Sequence, residues 1–188
     1  MNDFLKGSNV YLIGMMGAGK TTIGKLLAAQ LGYRFMDTDA LVEQIAGLSI
    51  SKLFAQAGEA TFRQLENQVL AELCAYTKLV VATGGGIVLK RENWGCLRHG
   101  IVVWLDVPVE QLQRRLKTDT TRPLLQTADP SIELQSLLEQ RQSLYAQADV
   151  QIRYNAAETP EEVATRAIGQ IKQALKPPVK GISELENN

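Results

Sequence analysis

The sequence predicts an α/β fold, a parallel sheet with helices on both faces, and three observations point there. Short apolar runs alternate with segments of helical periodicity from one end of the chain to the other. The first run, Val10-Tyr11-Leu12-Ile13, leads into Gly14-Met15-Met16-Gly17-Ala18-Gly19-Lys20-Thr21, a G-x-x-x-x-G-K-[ST] loop that opens into a helix. Three of the other four runs end in carboxylates or glycines, at the strand ends where such sheets bind ligands.

Each element follows from its residues. The glycines of the first loop let successive N–H groups point inward at a phosphate chain, and the helix after it adds its unpaired N–H groups and positive dipole end. Ile23, Leu26, Leu27 and Leu31 give that helix its apolar face, and Gly32 stops it. Arg34-Phe35-Met36 reads as a strand ended by Asp37-Thr38-Asp39. Two carboxylates two residues apart form a paired acidic site beside the phosphate loop; Asp39 could equally cap the helix expected over Ala40–Ala46. A short helix from Ser49 to about Gly58 precedes a longer one through Phe62, Leu65, Val69 and Leu73. Arg63 and Glu66 are neighbours on that helix, and spacing alone reads them as a surface ion pair of little energetic weight.

Lys78–Ala82 reads as a buried strand, followed by Thr83-Gly84-Gly85-Gly86. Three glycines there remove every side chain where another group must approach the backbone, which makes this a second ligand-facing loop. A short helix over Lys90–Leu97 comes next, then the strand Ile101–Leu105 closed by Asp106, and a helix opened by Pro108 that carries Arg114 and Arg115. Lys117–Asp129 is polar and threonine-rich around Arg122-Pro123-Leu124-Leu125, with the composition of a mobile functional loop. Asp129-Pro130 starts a helix to about Tyr145. Val150–Tyr154 alternates as a fifth strand, and Thr159-Pro160-Glu161-Glu162 is a capping box for the last helix. After Lys176-Pro177-Pro178 the polar tail, 176–188, is expected to be disordered.

Bulk composition narrows the function. The 188 residues suggest a single domain over 1–175, and 45% apolar content is ample for a core. Twenty basic residues against twenty acidic leave no global field for nucleic acid or an anionic membrane, and no apolar run approaches a membrane span. The first strand begins too early to leave room for a signal or transit peptide. Cys74 and Cys96 stand in unlike contexts without metal-type spacing and are expected as reduced thiols of a cytoplasmic protein. His99, the single histidine, is expected in a loop before a strand.

A phosphate loop specifies a nucleoside triphosphate and not a reaction. The guanine-reading Asn-Lys-x-Asp pattern is absent and the chain is short for a mechanical ATPase, which leaves a small phosphoryl-transfer enzyme or a nucleotide-binding regulatory module. Transfer needs neutralised charge, alignment and a shielded acceptor. Lys20 and Mg²⁺ on the Thr21 hydroxyl supply the first, and a loop bearing Arg122 would expel water. Asp39, Arg63, the glycines at 84–86 and Arg141 are the acceptor-side candidates; two arginines suit an anionic acceptor and an acid suits its hydroxyls.

Taken together, Gly14–Thr21, Asp37-Thr38-Asp39, Phe54-x-x-x-Gly58-Glu59-x-x-Phe62-Arg63, Gly84-Gly85-Gly86, Arg122-Pro123-Leu124-Leu125 and Arg141-x-x-x-Tyr145 resemble the shikimate kinases, a nucleoside monophosphate kinase-like group of P-loop enzymes, over roughly residues 8–175. The resemblance implies a three-layer fold with five parallel strands in the order 2-3-1-4-5, an acceptor-binding segment over about 39–70 and a lid over about 117–129. It implies a monomer that moves the γ-phosphate of ATP to the 3-hydroxyl of shikimate, on the chorismate route to aromatic amino acids. Lys20, Asp39 and Arg122 would be catalytic. Gly17, Ala18, Gly19, Lys20, Thr21, Thr22 and Arg115 would hold the nucleotide, with Arg115 against adenine. Thr21 and, through water, Asp37 would serve Mg²⁺, although Asp106 at a strand end is an acid that pattern alone also nominates. Asp39, Arg63, Gly85 and Arg141 would bind shikimate, with Glu66 orienting Arg63 and Phe54 and Phe62 as walls. An arginine that the family often carries near 155–157 is absent, since that stretch is Asn155-Ala156-Ala157. A gluconate kinase-like enzyme is the nearest rival, and Asp37-x-Asp39 with Arg122-Pro123-Leu124-Leu125 argues against it.

Overall fold

The computed structural model describes residues 3–117 and 129–175; the expected lid with Arg122 and the expected tail lie outside them. Five strands, β1 (Val10–Ile13), β2 (Arg34–Asp37), β3 (Leu79–Ala82), β4 (Ile101–Asp106) and β5 (Val150–Arg153), form one sheet in the order β2-β3-β1-β4-β5. Every pairing is parallel, with Tyr11 of β1 in register with Val81 on one side and Val102 on the other. β1 and β3 are buried along their whole length, which is why they read as unbroken apolar runs, whereas the edge strand β5 alternates buried and exposed.

The helices are α1 (Lys20–Leu31), α2 (Thr38–Ala46), α3 (Ile50–Cys74), α4 (Arg91–Leu97), α5 (Val109–Leu116), α6 (Pro130–Tyr145) and α7 (Pro160–Ala174). α1 packs on α7, α2 on α3 and α5 on α6, closing the core over the sheet. Sequence signals account for most ends. Asp129 caps α6 by accepting from the Ser131 and Ile132 N–H groups, and Thr159 with Glu162 forms the capping box of α7. Among the described residues no helix is long and apolar enough to cross a membrane.

Three local expectations change. Helix α2 starts at Thr38, capped by Asp37, whose side chain accepts from the Asp39 N–H at 3.1 Å; Asp39 therefore sits in the first turn instead of capping it. The two helices expected either side of Gly58 run together as α3, kinked where Gly58 takes φ 78° and ψ 169°. Cys74 and Cys96 are not separate thiols. The packing of α3 on α4 brings their Cα atoms to 5.9 Å, and the pair is joined as a disulfide. A separation of 22 residues along the chain carries no sign of that proximity.

Candidate active site

The phosphate loop occupies the turn from β1 to α1. Its path needs Gly14, at φ 135°, because a Cβ there would lie 2.6 Å from the Leu105 carbonyl oxygen. Lys20 Nζ donates to the Gly14 and Met15 carbonyls, both at 2.8 Å, so the ammonium spans the loop. No acidic side chain stands in the first turn of α1, which leaves the positive end of its dipole open to an anion. The Thr21 hydroxyl donates to Asp37 Oδ2 at 2.7 Å, joining α1 to the end of β2. On the far side Arg115 donates to the Gly17 carbonyl at 3.0 Å, and its guanidinium lies 5.1 Å from the centre of the Tyr154 ring. Gly17, Lys20, Thr21, Asp37, Arg115 and Tyr154, with Ala18, Gly19 and Thr22, line a cavity of about 530 Å³.

A second cavity, about 430 Å³, lies between α2, α3 and the loop after β3. The kink at Gly58 lets both arms of α3 reach it: Phe54 from the first, Phe62, Arg63 and Glu66 from the second. The two phenyl rings sit 4.9 Å apart. Arg63 is forked between two carboxylates, donating through Nη1 to Glu66 Oε2 at 2.9 Å and through Nε and Nη2 to Glu59 Oε1 at 3.1 and 3.0 Å. Burial disfavours the Arg63 charge, but Glu66 and then Glu59 outweigh it, so its pKa is raised. Glu66 is fully buried; burial pushes its carboxyl up against the opposing pull of Arg63. The surface-pair reading of Arg63 and Glu66 therefore does not hold, because the kinked helix turns this face inward.

Arg141, on α6, is 3% exposed. Its Nε and Glu66 Oε1 are buried with no hydrogen-bond partner among the described residues. Two glycines of the 84–86 loop are fixed by this cluster: a Cβ on Gly84 would run into the Glu66 carboxylate, and one on Gly86 into the Arg63 guanidinium. The loop is pinned from behind, since Thr38 Oγ1 accepts from the Gly84 N–H at 2.9 Å and the Tyr145 hydroxyl donates to the Gly85 carbonyl at 2.6 Å. Burial raises the Tyr145 pKa to about 12, so the phenol keeps its proton.

The two cavities share Met16, Thr21, Asp37, Asp39 and Gly85. A chain of phosphates on Lys20 would therefore end where a molecule between Arg63 and Arg141 begins. Asp106 lines neither cavity, and its Oδ2 accepts from Gln151 Nε2 at 2.8 Å. Exposed His99 lies in the turn before β4, also outside both. Among the described residues no three His, Cys, Asp or Glu side chains gather as a metal cage. Thr21 and Asp37 offer two hard oxygen donors beside the phosphate loop, a sparse set that suits a cation keeping waters and phosphate oxygens as its other ligands.

Of the residues expected at the site, Gly17 through Thr22, Asp37, Asp39 and Arg115 come together around the first cavity, and Asp39, Arg63, Gly85 and Arg141 around the second. Arg122 lies outside the described residues. Sequence reasoning gave no role to Glu59, Thr38, Tyr145, Tyr154 or Glu158. The four-residue spacings of Glu59 to Arg63 and Arg141 to Tyr145, one face of a helix each, were the available signal for two of them.

The shikimate kinase family profile matches residues 16–172. The chain is 60% identical to a shikimate kinase of Nostoc sp. over 176 residues, 94% of this chain and 97% of that one. It is 54% identical to a shikimate kinase of Microcystis aeruginosa, covering 92% and 90%. Among solved structures, a shikimate kinase of Acinetobacter baumannii in complex with shikimate superposes with a TM-score of 0.87 at 40% identity, over 90% of this chain and 96% of that one. A gluconokinase of Sinorhizobium meliloti, at 18% identity and a TM-score of 0.54 over 89% and 93%, shares the fold alone.

Proposed function

The chain belongs to the shikimate kinase family, and from that premise we propose that it transfers the γ-phosphate of ATP to the 3-hydroxyl of shikimate, giving shikimate 3-phosphate and ADP. The observation that carries the proposal is the junction of the two cavities at Thr21, Asp37 and Asp39, with a phosphate loop on one side and two arginines on the other.

The roles follow from chemistry. The loop N–H groups from Gly17 to Thr22 and the α1 terminus bind the phosphates. Lys20 leaves its two carbonyl partners for the β- and γ-phosphates, whose charge it offsets. Thr21 and, through water, Asp37 would hold Mg²⁺, and the ion would supply further charge neutralisation to the phosphates. Arg115 and Tyr154 flank the base. Across the junction, Arg63 and Arg141 grip the shikimate carboxylate beside the Gly85 backbone, because guanidinium donors bind a carboxylate strongly and directionally. Both arginines line the second cavity, which supports that assignment. Asp39 accepts from the acceptor hydroxyls and aligns the attacking one. Arg122 has the family's phosphate-contacting role in this reading, on the motif alone.

Residues 1–175 form the catalytic domain in this proposal, with the acceptor segment at about 39–70. In this reading it works as a monomer, as the family resemblance implies. A cytoplasmic location rests on the soluble metabolite it would use, because the bonded Cys74–Cys96 pair removes the argument from free thiols.

ADP release with shikimate, gluconate and AMP offered separately tests the reading. Turnover is expected with shikimate and at background level with the other two; no turnover with millimolar shikimate, or faster turnover with gluconate, would sink it.

A further inference from the structure

The base side of the first cavity is closed by a turn, residues 154–159, that leaves the edge strand β5 and leads into α7. Asn155, Ala156 and Ala157 are exposed and uncharged, so the turn brings no cation to a base. What it offers is a wall, formed by Tyr154 and backbone, and a wall serves only if it is held in place. Its internal bonds are local: Ala157 N–H to Asn155 Oδ1 at 3.1 Å and Glu158 N–H to the Asn155 carbonyl at 3.3 Å.

One side chain from outside ties both ends of this turn. Arg166, on α7, donates through Nε to Glu158 Oε1 and through Nη2 to Glu158 Oε2, both at 2.7 Å, and through Nη2 to the Arg153 carbonyl at 2.9 Å. Arg153 ends β5 and Glu158 precedes Thr159, the cap of α7, so one guanidinium bridges the span between them, beside the bond from the Tyr154 N–H to the Asp106 carbonyl at 2.7 Å. The fork is half-buried on both sides, with side-chain exposures of 28% and 17%, and these bidentate charge-assisted bonds are the strong kind. The hydrogen bond from Arg166 holds the Glu158 carboxyl below its ordinary pKa. From the opposite side, Arg115 ties Tyr154 to the Gly17 carbonyl of the phosphate loop.

We propose that Arg166 is a positioning residue for the nucleotide base: clasping Glu158 and the Arg153 carbonyl, it fixes the 154–158 turn as the wall the base lies against. The proposal rests on the ATP-dependent reading above. It assigns Arg166 a share of base affinity and none of phosphate affinity or of the acceptor site.

Arg166→Ala, Arg166→Lys and Glu158→Gln, compared with the full-length wild type, test it. For each, the measurements are the affinities for ADP and for inorganic tripolyphosphate by calorimetry, KM for ATP and for shikimate, and kcat. Arg166→Ala is expected to weaken ADP and raise the KM for ATP about tenfold, equivalent to about 1.4 kcal/mol. Tripolyphosphate affinity, the KM for shikimate and kcat should stay near wild type. Arg166→Lys, with one point charge for a fork, should recover part of the loss, and Glu158→Gln, which keeps one acceptor, should fall between. If Arg166→Ala does not fold, Glu158→Gln carries the comparison. Equal losses for ADP and tripolyphosphate, or unchanged ADP affinity, would overturn the proposal. Because ADP and tripolyphosphate binding need no shikimate turnover, a wild type inactive on shikimate would defeat the functional reading while leaving this comparison interpretable.

Discussion

Arg63 donates to Glu66 at 2.9 Å across a pair whose carboxylate is wholly out of water. Neither residue suits such a place alone. The pair persists because each neutralises the other and because Glu59 occupies the outer face of the guanidinium. Its consequence is positional: the arginine is held at the floor of the acceptor cavity and cannot swing to solvent.

Removing one member of a buried pair strands the other charge, at a cost of about 3–5 kcal/mol. Glu66→Ala should therefore destabilise the protein by roughly that amount, measured by urea unfolding. Glu66→Gln, which keeps an acceptor for Nη1, should cost less stability yet raise the KM for shikimate with the KM for ATP unmoved. A wild-type shikimate KM in Glu66→Gln would show that Arg63 needs no orientation.

Asp39 stands where the two cavities meet, so its effect should fall on the transfer step. Asp39→Asn should lower kcat by about 10²- to 10⁴-fold, the usual range for a positioned proton acceptor, with ADP affinity changed little. Equal losses in turnover and nucleotide affinity would mean that Asp39 holds the fold of the site instead.

The Tyr145 hydroxyl supports Gly85 from behind the acceptor cavity. Tyr145→Phe leaves that carbonyl without its donor and should cost about 1–2 kcal/mol. The folded-state pKa, about 12, lies above the ordinary value of 10.0, so folding is linked to keeping the proton. This contribution is fully present below pH 10 and is lost as pH rises through about 12. The stability gap between wild type and Tyr145→Phe should be flat from neutral pH to 10 and narrow above it; a gap that widens with alkali would contradict the assignment.

The fold was legible in the sequence because the apolar runs were short and their boundaries chemically marked. Asp129-Pro130 and the Thr159 capping box stop and start helices through local bonds alone, and they lie where the chain pattern put them. Most of the candidate site was legible too, since the phosphate-loop glycines and Gly84 and Gly86 are geometric necessities. What stayed hidden depends on packing between elements. Spacing could not tell that the Gly58 kink buries Glu66, that α3 against α4 joins Cys74 to Cys96, or that Arg166 reaches back to Glu158. Asp37 and Asp106 both end strands, and only the geometry separates them: Asp37 bonds Thr21, whereas Asp106 bonds Gln151.

The most direct test compares shikimate with its carboxamide as acceptor for the wild type, reading kcat/KM. Two charge-assisted arginine contacts, each about 1.5–3 kcal/mol, predict that neutralising the carboxylate lowers kcat/KM by at least about a hundredfold. In Arg141→Ala the difference between the two acceptors should shrink. Equal kcat/KM for acid and amide in the wild type would contradict the arginine grip, and with it the account of how the acceptor meets the phosphate.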